Sequence, residues 1–342
     1  MREIASFFAL LPKESYTSID TIFIGGGTPS LYPLPWLKEL FDSLATISPL
    51  TTCKEISMEV NPADVDEERL EHWQECGVTR LSMGVQSLDD DVLLKLNRRQ
   101  RAKDVMRALR IMPKYFDNIS IDLILGLPDV STAAWQAMLD QVVTWPIKHI
   151  SIYFLTIHEK TPLYFKVQRG DVNLMDDDVL VGLYEYTVAF LARHGFQQYE
   201  ISNFAKPDHS SLHNRAYWDR KPYRGFGIGA SSFDGQQRLT NTNNLECYIK
   251  STMQSGLPEL LSHEKLTSQQ VHLELLMLSL RQKSGLDLQR VLYFLEHNKK
   301  QQFINTVASL KEAGFINQYE QVISLTVKGM ALENEVITRL SQ

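Results

Sequence analysis

The segment Thr21-Ile22-Phe23-Ile24-Gly25-Gly26-Gly27-Thr28-Pro29 decides the fold, because an apolar run leads directly into three consecutive glycines. Such a run predicts a strand that turns sharply and lets its backbone approach another group closely. Without a Cβ in the way, successive backbone N–H groups can line a small concavity that suits a carboxylate or a phosphate. Glycine turns after strands are common, so the interpretation needs support from the rest of the chain.

Several later strand-like runs contain or end in a polar residue that an apolar strand does not require. In chain order, these residues are Glu59, Gln86, Asp122 and Thr156. In a parallel β/α sheet or barrel, ligands bind where the C-terminal ends of the strands meet. We therefore expect these four side chains to converge with the glycine turn on one site.

Size and composition are those of an ordinary globular protein. The 342 residues predict about two domains, and the net charge of −6 argues against binding to nucleic acid or to an anionic membrane. No apolar run approaches the roughly 20 residues of a membrane span. Only three widely spaced cysteines occur, Cys53, Cys76 and Cys247. They predict no disulfide framework and favour a cytoplasmic location.

Strand-like and helix-like segments alternate from residue 20 to about 200, which predicts a parallel β/α architecture. The predicted strands are 21–24, 55–60, 80–85, 119–125 and 149–156. The predicted helices are 34–47, 66–76, 101–112, 132–144 and 177–194. A further helix is expected to end near Leu11, where Pro12 stops it.

The C-terminal part of the chain has a different character. After a less regular stretch over 196–245, helical segments precede two short strands and a last helix. These segments are 267–280, 300–313, 315–317, 322–325 and 327–340. They predict a compact winged-helix-like domain. The expected division is therefore 1–255, with an irregular extension from about 196, and 256–342.

Seven motifs in a fixed order carry a family resemblance. They are Ile24-Gly25-Gly26-Gly27-Thr28-Pro29-Ser30, Met58-Glu59-Val60-Asn61-Pro62, Gly84-Val85-Gln86-Ser87, Leu96-Asn97-Arg98, Asp122-Leu123-Ile124-Leu125-Gly126-Leu127-Pro128, Tyr199-Glu200-Ile201-Ser202-Asn203-Phe204-Ala205 and His213-Asn214-Arg215-Ala216-Tyr217-Trp218. Leu280-Arg281 and Leu325-Thr326-Val327-Lys328-Gly329 fit as well. The chain thus resembles the oxygen-independent coproporphyrinogen III oxidase family of radical SAM proteins, and most closely its haem-chaperone branch.

The resemblance implies a partial TIM-type (β/α) barrel that holds S-adenosylmethionine. Gly26, Gly27 and Thr28 would contact the amino-acid end of this cofactor. The residues that would surround the rest are Glu59, Gln86, Arg98, Asp122 and Thr156. Backbone donors and an arginine suit its carboxylate, and acidic or amide side chains suit its ribose hydroxyls. From the residues alone, Asp122 also fits a buried hydrogen-bonded acid, and Arg98 a surface cation.

One part of the family pattern is missing from this sequence. The family holds a [4Fe–4S] cluster on a C-x3-C-x2-C loop that precedes the glycine turn, whereas none of the 24 residues before Gly25 is cysteine. We therefore expect a barrel without its first strand and a chain without a cluster or radical activity. A shortened N-terminus or a genuinely cluster-less relative would explain this, and the unpaired strand edge at 21–24 favours the first explanation.

The motif at 213–218 supplies the haem candidates His213, Tyr217 and Trp218, and it marks the chaperone branch. An imidazole with nearby aromatic rings suits ligation of haem iron and stacking on a porphyrin. A structural histidine is the alternative, and His209 is a second candidate only by proximity. A further departure is Ser231, which stands where the family often has histidine.

The expected function is haem binding and transfer, with haem and haem-accepting proteins as partners. The alternative is an oxygen-independent coproporphyrinogen III oxidase of porphyrin biosynthesis. A generic β/α-barrel hydrolase or aldolase would need a lysine or three metal ligands at the strand ends, and we find neither in the sequence. Homo-oligomerisation and the identity of the acceptor stay open.

Overall fold

A seven-stranded sheet forms the centre of the computed structural model, which describes residues 1–12 and 18–342. Its parallel strands are β1 Thr21–Ile24, β2 Glu55–Val60, β3 Arg80–Gln86, β4 Asn118–Leu125 and β5 His149–Phe154. Two short antiparallel strands, β6 Gln197–Gln198 and β7 Asn203–Ala205, complete the order β1-β2-β3-β4-β5-β7-β6. The sheet does not close on itself. The predicted partial barrel is confirmed, and β1 is one of its edges.

Of the eight α-helices that the structure describes up to residue 193, six were predicted from the sequence, and those at 90–95 and 162–168 were not. The eight helices are α1 Arg2–Leu10, α2 Leu34–Ala45, α3 Glu67–Glu75, α4 Asp90–Lys95, α5 Ala102–Ile111, α6 Thr132–Val142, α7 Pro162–Gln168 and α8 Asp177–Arg193. Three strand boundaries differ from the prediction, and one of them is the start of β4 at Asn118 instead of residue 119. Gln86 extends β3 by one residue, whereas β5 ends at Phe154 and leaves Thr156 beyond the strand.

The strands bury apolar residues on one side and polar residues on the other, because successive side chains alternate between the two faces of a sheet. On the outer face, Met58, Leu81 and Ile121 are fully buried in a core shared with the flanking helices. The opposite side we call the inner face. Its members are Phe23, Glu55, Ser57, Glu59, Arg80, Ser82, Ser120, Asp122, His149 and Ser151.

The irregular stretch folds into a second, antiparallel sheet that the sequence did not reveal. Its elements are α9 Leu212–Trp218, β8 Ser231–Phe233, β9 Gln237–Asn241, α10 Leu245–Ser255 and β10 Leu260–Lys265, with strand order β10-β9-β8. The buried carboxylate of Glu3 in α1 accepts hydrogen bonds from Asn241 Nδ2 (2.9 Å), Gly227 N (2.8 Å) and Tyr248 Oη (2.7 Å). Glu3 therefore ties α1 to this region.

The C-terminal segment contains helices and a small hairpin, as expected. Its elements are α11 Ser268–Leu280, β11 Leu286–Asp287, α12 Leu288–Phe294, α13 His297–Glu312, β12 Ile316–Tyr319, β13 Val322–Leu325, α14 Val327–Ala331 and α15 Glu333–Leu340. The strand order is β11-β13-β12. The division at 255/256 stays a prediction. Because β10 follows that division and pairs with β9, we would place the boundary after Lys265.

The C-terminal segment packs against the central sheet through a buried ion pair. Arg281 Nε lies 2.7 Å from the fully buried Glu200 Oε2. Glu333 at the start of α15 lies 4.0 Å from the same guanidinium. Within the described ranges, no helix has the length and apolar character needed to cross a membrane.

Candidate functional site

The glycine turn lies at the exposed C-terminal end of β1, and its geometry explains two of its three glycines. A Cβ on Gly25 would lie 2.5 Å from Phe23 Cε1 and 3.0 Å from Glu59 Cδ, so no side chain fits there. Gly26 has a φ of +110°, which L-residues rarely adopt, and its N–H donates to Glu59 Oε2 over 3.1 Å. A Cβ on Gly27 would meet nothing within 4 Å. Gly27 therefore borders open space that a ligand can fill.

Two carboxylates occupy the inner face beside this turn. Burial raises the pKa of Glu59, and the negative charge of Asp122 raises it further, whereas the Gly26 N–H acts in the opposite direction. Burial also raises the pKa of Asp122, against hydrogen bonds from Ser151 and Ser82 and the charge of Arg80. The two acids are close enough to repel each other when both are ionised. A cationic ligand between them would relieve that repulsion.

Gln86 ends β3 in a conformation that is unusual for its residue type. Its φ is +68°, and the register with β4 shifts between Gly84 and Gln86. A non-glycine residue held in this region costs on the order of 1–3 kcal/mol, and such strain is concentrated at functional sites. The Gln86 amide folds back over Gly84, where an added Cβ would lie 3.1 Å from Nε2.

A buried amide that the sequence analysis missed supports this strand end. Gln100 is fully buried, donates to the Gly84 carbonyl over 3.1 Å and accepts from Asn61 Nδ2 over 3.0 Å. Asn61 directly follows β2. Gln100 therefore connects the ends of β2 and β3. In the sequence, the only sign of this role is its position between Arg99 and Arg101, just before α5.

Arg98 and Thr156 are not joined to this cluster. Arg98 is exposed, and among the described residues its side chain makes no hydrogen bond or ion pair. Its neighbour Arg99 instead forms a two-pronged ion pair with Asp64 (3.1 and 3.0 Å). Thr156 is exposed and directs its hydroxyl to the carbonyl of Phe154 over 3.4 Å. The structure therefore brings together the glycine turn, Glu59, Gln86 and Asp122.

Deeper in the barrel, a hydrogen-bonded chain runs across the inner face. Ser120 Oγ lies 2.7 Å from His149 Nδ1, and His149 Nε2 lies 2.8 Å from Tyr199 Oη, which accepts from Ser211 N over 3.1 Å. Burial holds the pKa of His149 well below its usual value. In the sequence, polar residues at alternate positions of each strand indicate this network, but the sequence analysis did not predict it.

Glu55 at the start of β2 holds the N-terminus of α9. Its carboxylate accepts hydrogen bonds from Ser211 Oγ (3.2 Å), Leu212 N (2.8 Å) and His213 N (3.2 Å). A carboxylate at a helix N-terminus satisfies backbone donors that lack a partner in the helix. This contact spans more than 150 residues of sequence and fixes α9 beside β1 and β2.

His213 is half-buried and contacts side chains of β1 and α9. Its Nδ1 lies 2.8 Å from Thr21 Oγ1, and its Nε2 lies 2.9 Å from Tyr217 Oη. The imidazole stacks on Phe23 at a centroid distance of 5.2 Å and an interplanar angle of 23°. Burial lowers the pKa of His213, which favours the neutral imidazole that binds metals.

Tyr217 and Trp218 have different surroundings. Tyr217 is 37% exposed and packs edge-on against both His213 and Tyr223. Trp218 packs against Tyr199, and the Arg281 guanidinium lies 5.8 Å from its ring centroid. His209 lies apart from these rings, with its Nδ1 bound to the carbonyl of Pro207. The Tyr217 ring is therefore accessible, whereas the Trp218 ring contacts Arg281 of the C-terminal segment.

Phe23 connects the two candidate sites. One face of its ring stacks on the His213 imidazole, and Cε1 at the ring edge would lie 2.5 Å from a Cβ on Gly25. The imidazole and the glycine turn are thus neighbours on the inner side of β1.

The cysteines do not fit the family's cluster. Cys53 precedes β2, Cys76 ends α3 and Cys247 lies in α10, and all three are free thiols. Across residues 1–12 and 18–342, no group of three or more His, Cys, Asp or Glu side chains is placed to hold a metal ion. The residues present therefore fit S-adenosylmethionine but not the iron–sulfur cluster.

Comparison with known proteins gives the same fold and family as the motifs. The family model described as the Radical SAM superfamily matches residues 3–142. The haem chaperone HemW of Bacillus subtilis is 34% identical over 328 residues, which covers 95% of this chain and 86% of that protein. The mitochondrial radical S-adenosyl methionine domain-containing protein 1 of Danio rerio is 31% identical over 317 residues, or 89% of this chain and 70% of that protein.

A solved structure supports the fold alone. Coproporphyrinogen III oxidase (HemN) from Escherichia coli superimposes with a TM-score of 0.82, covering 100% of this chain and 81% of that chain at 22% identity. The expected radical SAM-type fold is confirmed.

Proposed function

Because the chain belongs to the HemW family of radical SAM proteins, we propose that it binds haem and transfers it to acceptor proteins. The similarity to a haem chaperone over 95% of the chain carries this proposal. The arrangement of His213, Tyr217 and Phe23 beside the glycine turn supports it. The three free cysteines also agree with a cytoplasmic location.

S-adenosylmethionine is the cofactor that we propose for the strand ends. The open side of Gly27 and the N–H groups of the turn would receive its amino-acid end. Glu59 and Asp122 would face its positive charge and its hydroxyls, and Gln86 would contribute an amide. In radical SAM proteins a [4Fe–4S] cluster supplies the electron that cleaves this cofactor. Since the cysteines of this chain do not fit a cluster, we derive no radical step.

His213 is the haem ligand that we propose. A neutral imidazole is the form that binds iron, and the lowered pKa of His213 maintains that form near neutral pH. In the structure, Nε2 of His213 is hydrogen-bonded to Tyr217 Oη over 2.9 Å. Because Tyr217 is partly exposed, its side chain can rotate away and leave Nε2 to the iron. The Phe23 ring would remain stacked on the imidazole.

Haem titration of the full chain tests this proposal through the Soret band. We expect His213→Ala to shift the band and to weaken haem binding at least tenfold. His209→Ala is the matched control, since His209 lies nearby in sequence but outside the aromatic cluster, and it should leave the spectrum unchanged. Transfer is measured by mixing the loaded protein with a haem-free acceptor. Haem binding that is indifferent to His213 would contradict the ligand assignment.

Coproporphyrinogen oxidation is the second candidate. Its support is the HemN-like fold, which at 22% identity does not extend to activity. Decarboxylation of coproporphyrinogen III by this chain at rates typical of enzymes would favour the oxidase over the chaperone.

A further inference from the structure

Arg80 occupies the first position of β3, and its side chain lies within the barrel. It shares the inner face with Ser82, two residues further along the strand, whose hydroxyl lies 3.3 Å from Asp122. Arg80 is only 2% exposed. Within residues 1–12 and 18–342 its guanidinium makes no hydrogen bond or ion pair, and its Nε is shielded from solvent without an acceptor.

Most of the surrounding polar groups already have other partners. Both nitrogens of His149 are bonded, and Tyr199 Oη bridges His149 and Ser211. Ser57, in register with Arg80 on β2, directs its hydroxyl to Glu55. On the other neighbouring strand, Asn118 Oδ1 is also buried without a donor. The inner face thus contains a fixed cation whose donors have no acceptor.

A buried guanidinium without a hydrogen-bonded acceptor is unfavourable, because the loss of its hydration is only partly offset by the more distant charge of Asp122. Such a group is expected where a ligand completes it. The planar guanidinium matches a carboxylate, which it can bind through two parallel hydrogen bonds. Glu55 and Asp122 lie on the same face, and their charges disfavour a doubly charged anion such as phosphate.

We propose that Arg80 binds a carboxylate of the cargo inside the barrel. This inference rests on the proposed function, under which the carboxylate is a propionate of haem. Phe23, Ser57 and Arg80 are in register across β1, β2 and β3. Two strand spacings, about 10 Å, therefore separate the Arg80 backbone from the residue on which His213 stacks. A porphyrin whose iron is bound by His213 can direct its carboxylate edge towards the guanidinium.

Esterification of the haem carboxylates tests the proposal directly. Haem and haem dimethyl ester are titrated into the wild-type chain and into the Arg80→Met, Arg80→Lys and Arg110→Met variants. We expect the wild-type chain to bind haem at least tenfold more tightly than the ester. Arg80→Met should bind both equally, and Arg80→Lys should keep only part of the preference. Arg110 is exposed on α5, and its side chain has no partner in the part of the chain that the structure describes, so Arg110→Met should behave as wild type.

Thermal unfolding separates a binding role from a structural one. Since methionine removes an unpaired buried charge, Arg80→Met should unfold at the same or a higher temperature. A large loss of stability in both Arg80 variants would overturn the proposal.

The wild-type titrations alone remain decisive if Arg80→Met does not fold. Equal binding of haem and its ester would overturn the Arg80 assignment and leave the proposed function intact. Failure of the wild-type chain to bind either porphyrin would instead overturn the proposed function.

Discussion

The glycine turn and helix α9 both carry expected ligand groups, but they differ in how those groups are satisfied. At the turn, Gly27 borders open space and Gln86 is held in a strained conformation before any ligand binds. In α9, both ring nitrogens of His213 already have hydroxyl partners. The glycine turn is therefore preorganised, whereas His213 must break a hydrogen bond to accept its ligand. Cofactor affinity should therefore depend on charge, and haem affinity on the release of Tyr217.

The largest effect is expected when a carboxylate is removed from the preorganised site. Glu59→Ala or Asp122→Ala should weaken S-adenosylmethionine binding roughly 10- to 100-fold, because hydrogen bonds to charged groups contribute about 1.5–3 kcal/mol. Calorimetric titration measures this effect.

Asp117→Ala is the matched control, since Asp117 is exposed just before β4 and its side chain makes no hydrogen bond to any residue that the structure describes. Burial disfavours the ionised form of Asp122, so Asp122→Ala should not lower the thermal midpoint. If neither substitution changes the affinity, the cofactor site at the strand ends is wrong.

The second prediction concerns Arg281, which contacts the Trp218 ring and lies 4.0 Å from Glu333. Burial, with the charge of Glu200, raises the pKa of Glu333 to about 7, despite the opposing effect of Arg281. The folded protein therefore binds a proton that the unfolded chain has released. This contribution to stability is complete below the unfolded pKa and is lost as pH rises through 7.

For Glu333, the loss between about pH 5.5 and about pH 8 is on the order of 2 kcal/mol. Glu333→Gln should remove this part of the pH dependence, as measured by denaturant unfolding at both pH values. Glu335→Gln is the control, because Glu335 lies on the same helix but pairs with Arg339 at the surface. Parallel pH profiles for wild type and Glu333→Gln would show that Glu333 does not titrate in this range.

The sequence predicted the central sheet well because its strands carry two local signals, apolar alternate positions and terminal glycines. The bounds of β2 are those predicted, and β1 ends at the glycine turn as expected. The sheet formed by β8, β9 and β10 was missed, since every residue of β10 is exposed and has no apolar period.

The sequence predicted which candidate residues come together only where those residues lie on strands, and the binding role of each candidate stays a prediction. Glu59, Gln86 and Asp122 lie on strands, and the sheet gathers them. Arg98 and Thr156 lie in connecting segments, whose direction depends on packing that no local pattern encodes. The unpaired state of Arg80 could not be inferred either, because it depends on neighbours contributed by β2, β4 and β5.

The smallest effect, and the sharpest test of the difference between the sites, comes from Tyr217→Phe. If His213 Nε2 must leave Tyr217 Oη before it binds iron, removal of that hydroxyl removes a competitor. A net hydrogen bond contributes about 0.5–1.5 kcal/mol, so haem affinity should rise roughly 2- to 10-fold. The same change should leave S-adenosylmethionine affinity unaltered. Tyr223→Phe is the control, because Tyr223 packs on the same ring but makes no side-chain hydrogen bond within the described residues. A fall in haem affinity on Tyr217→Phe would show that the hydroxyl assists the ligand, and that α9 binds haem in the arrangement that it already has.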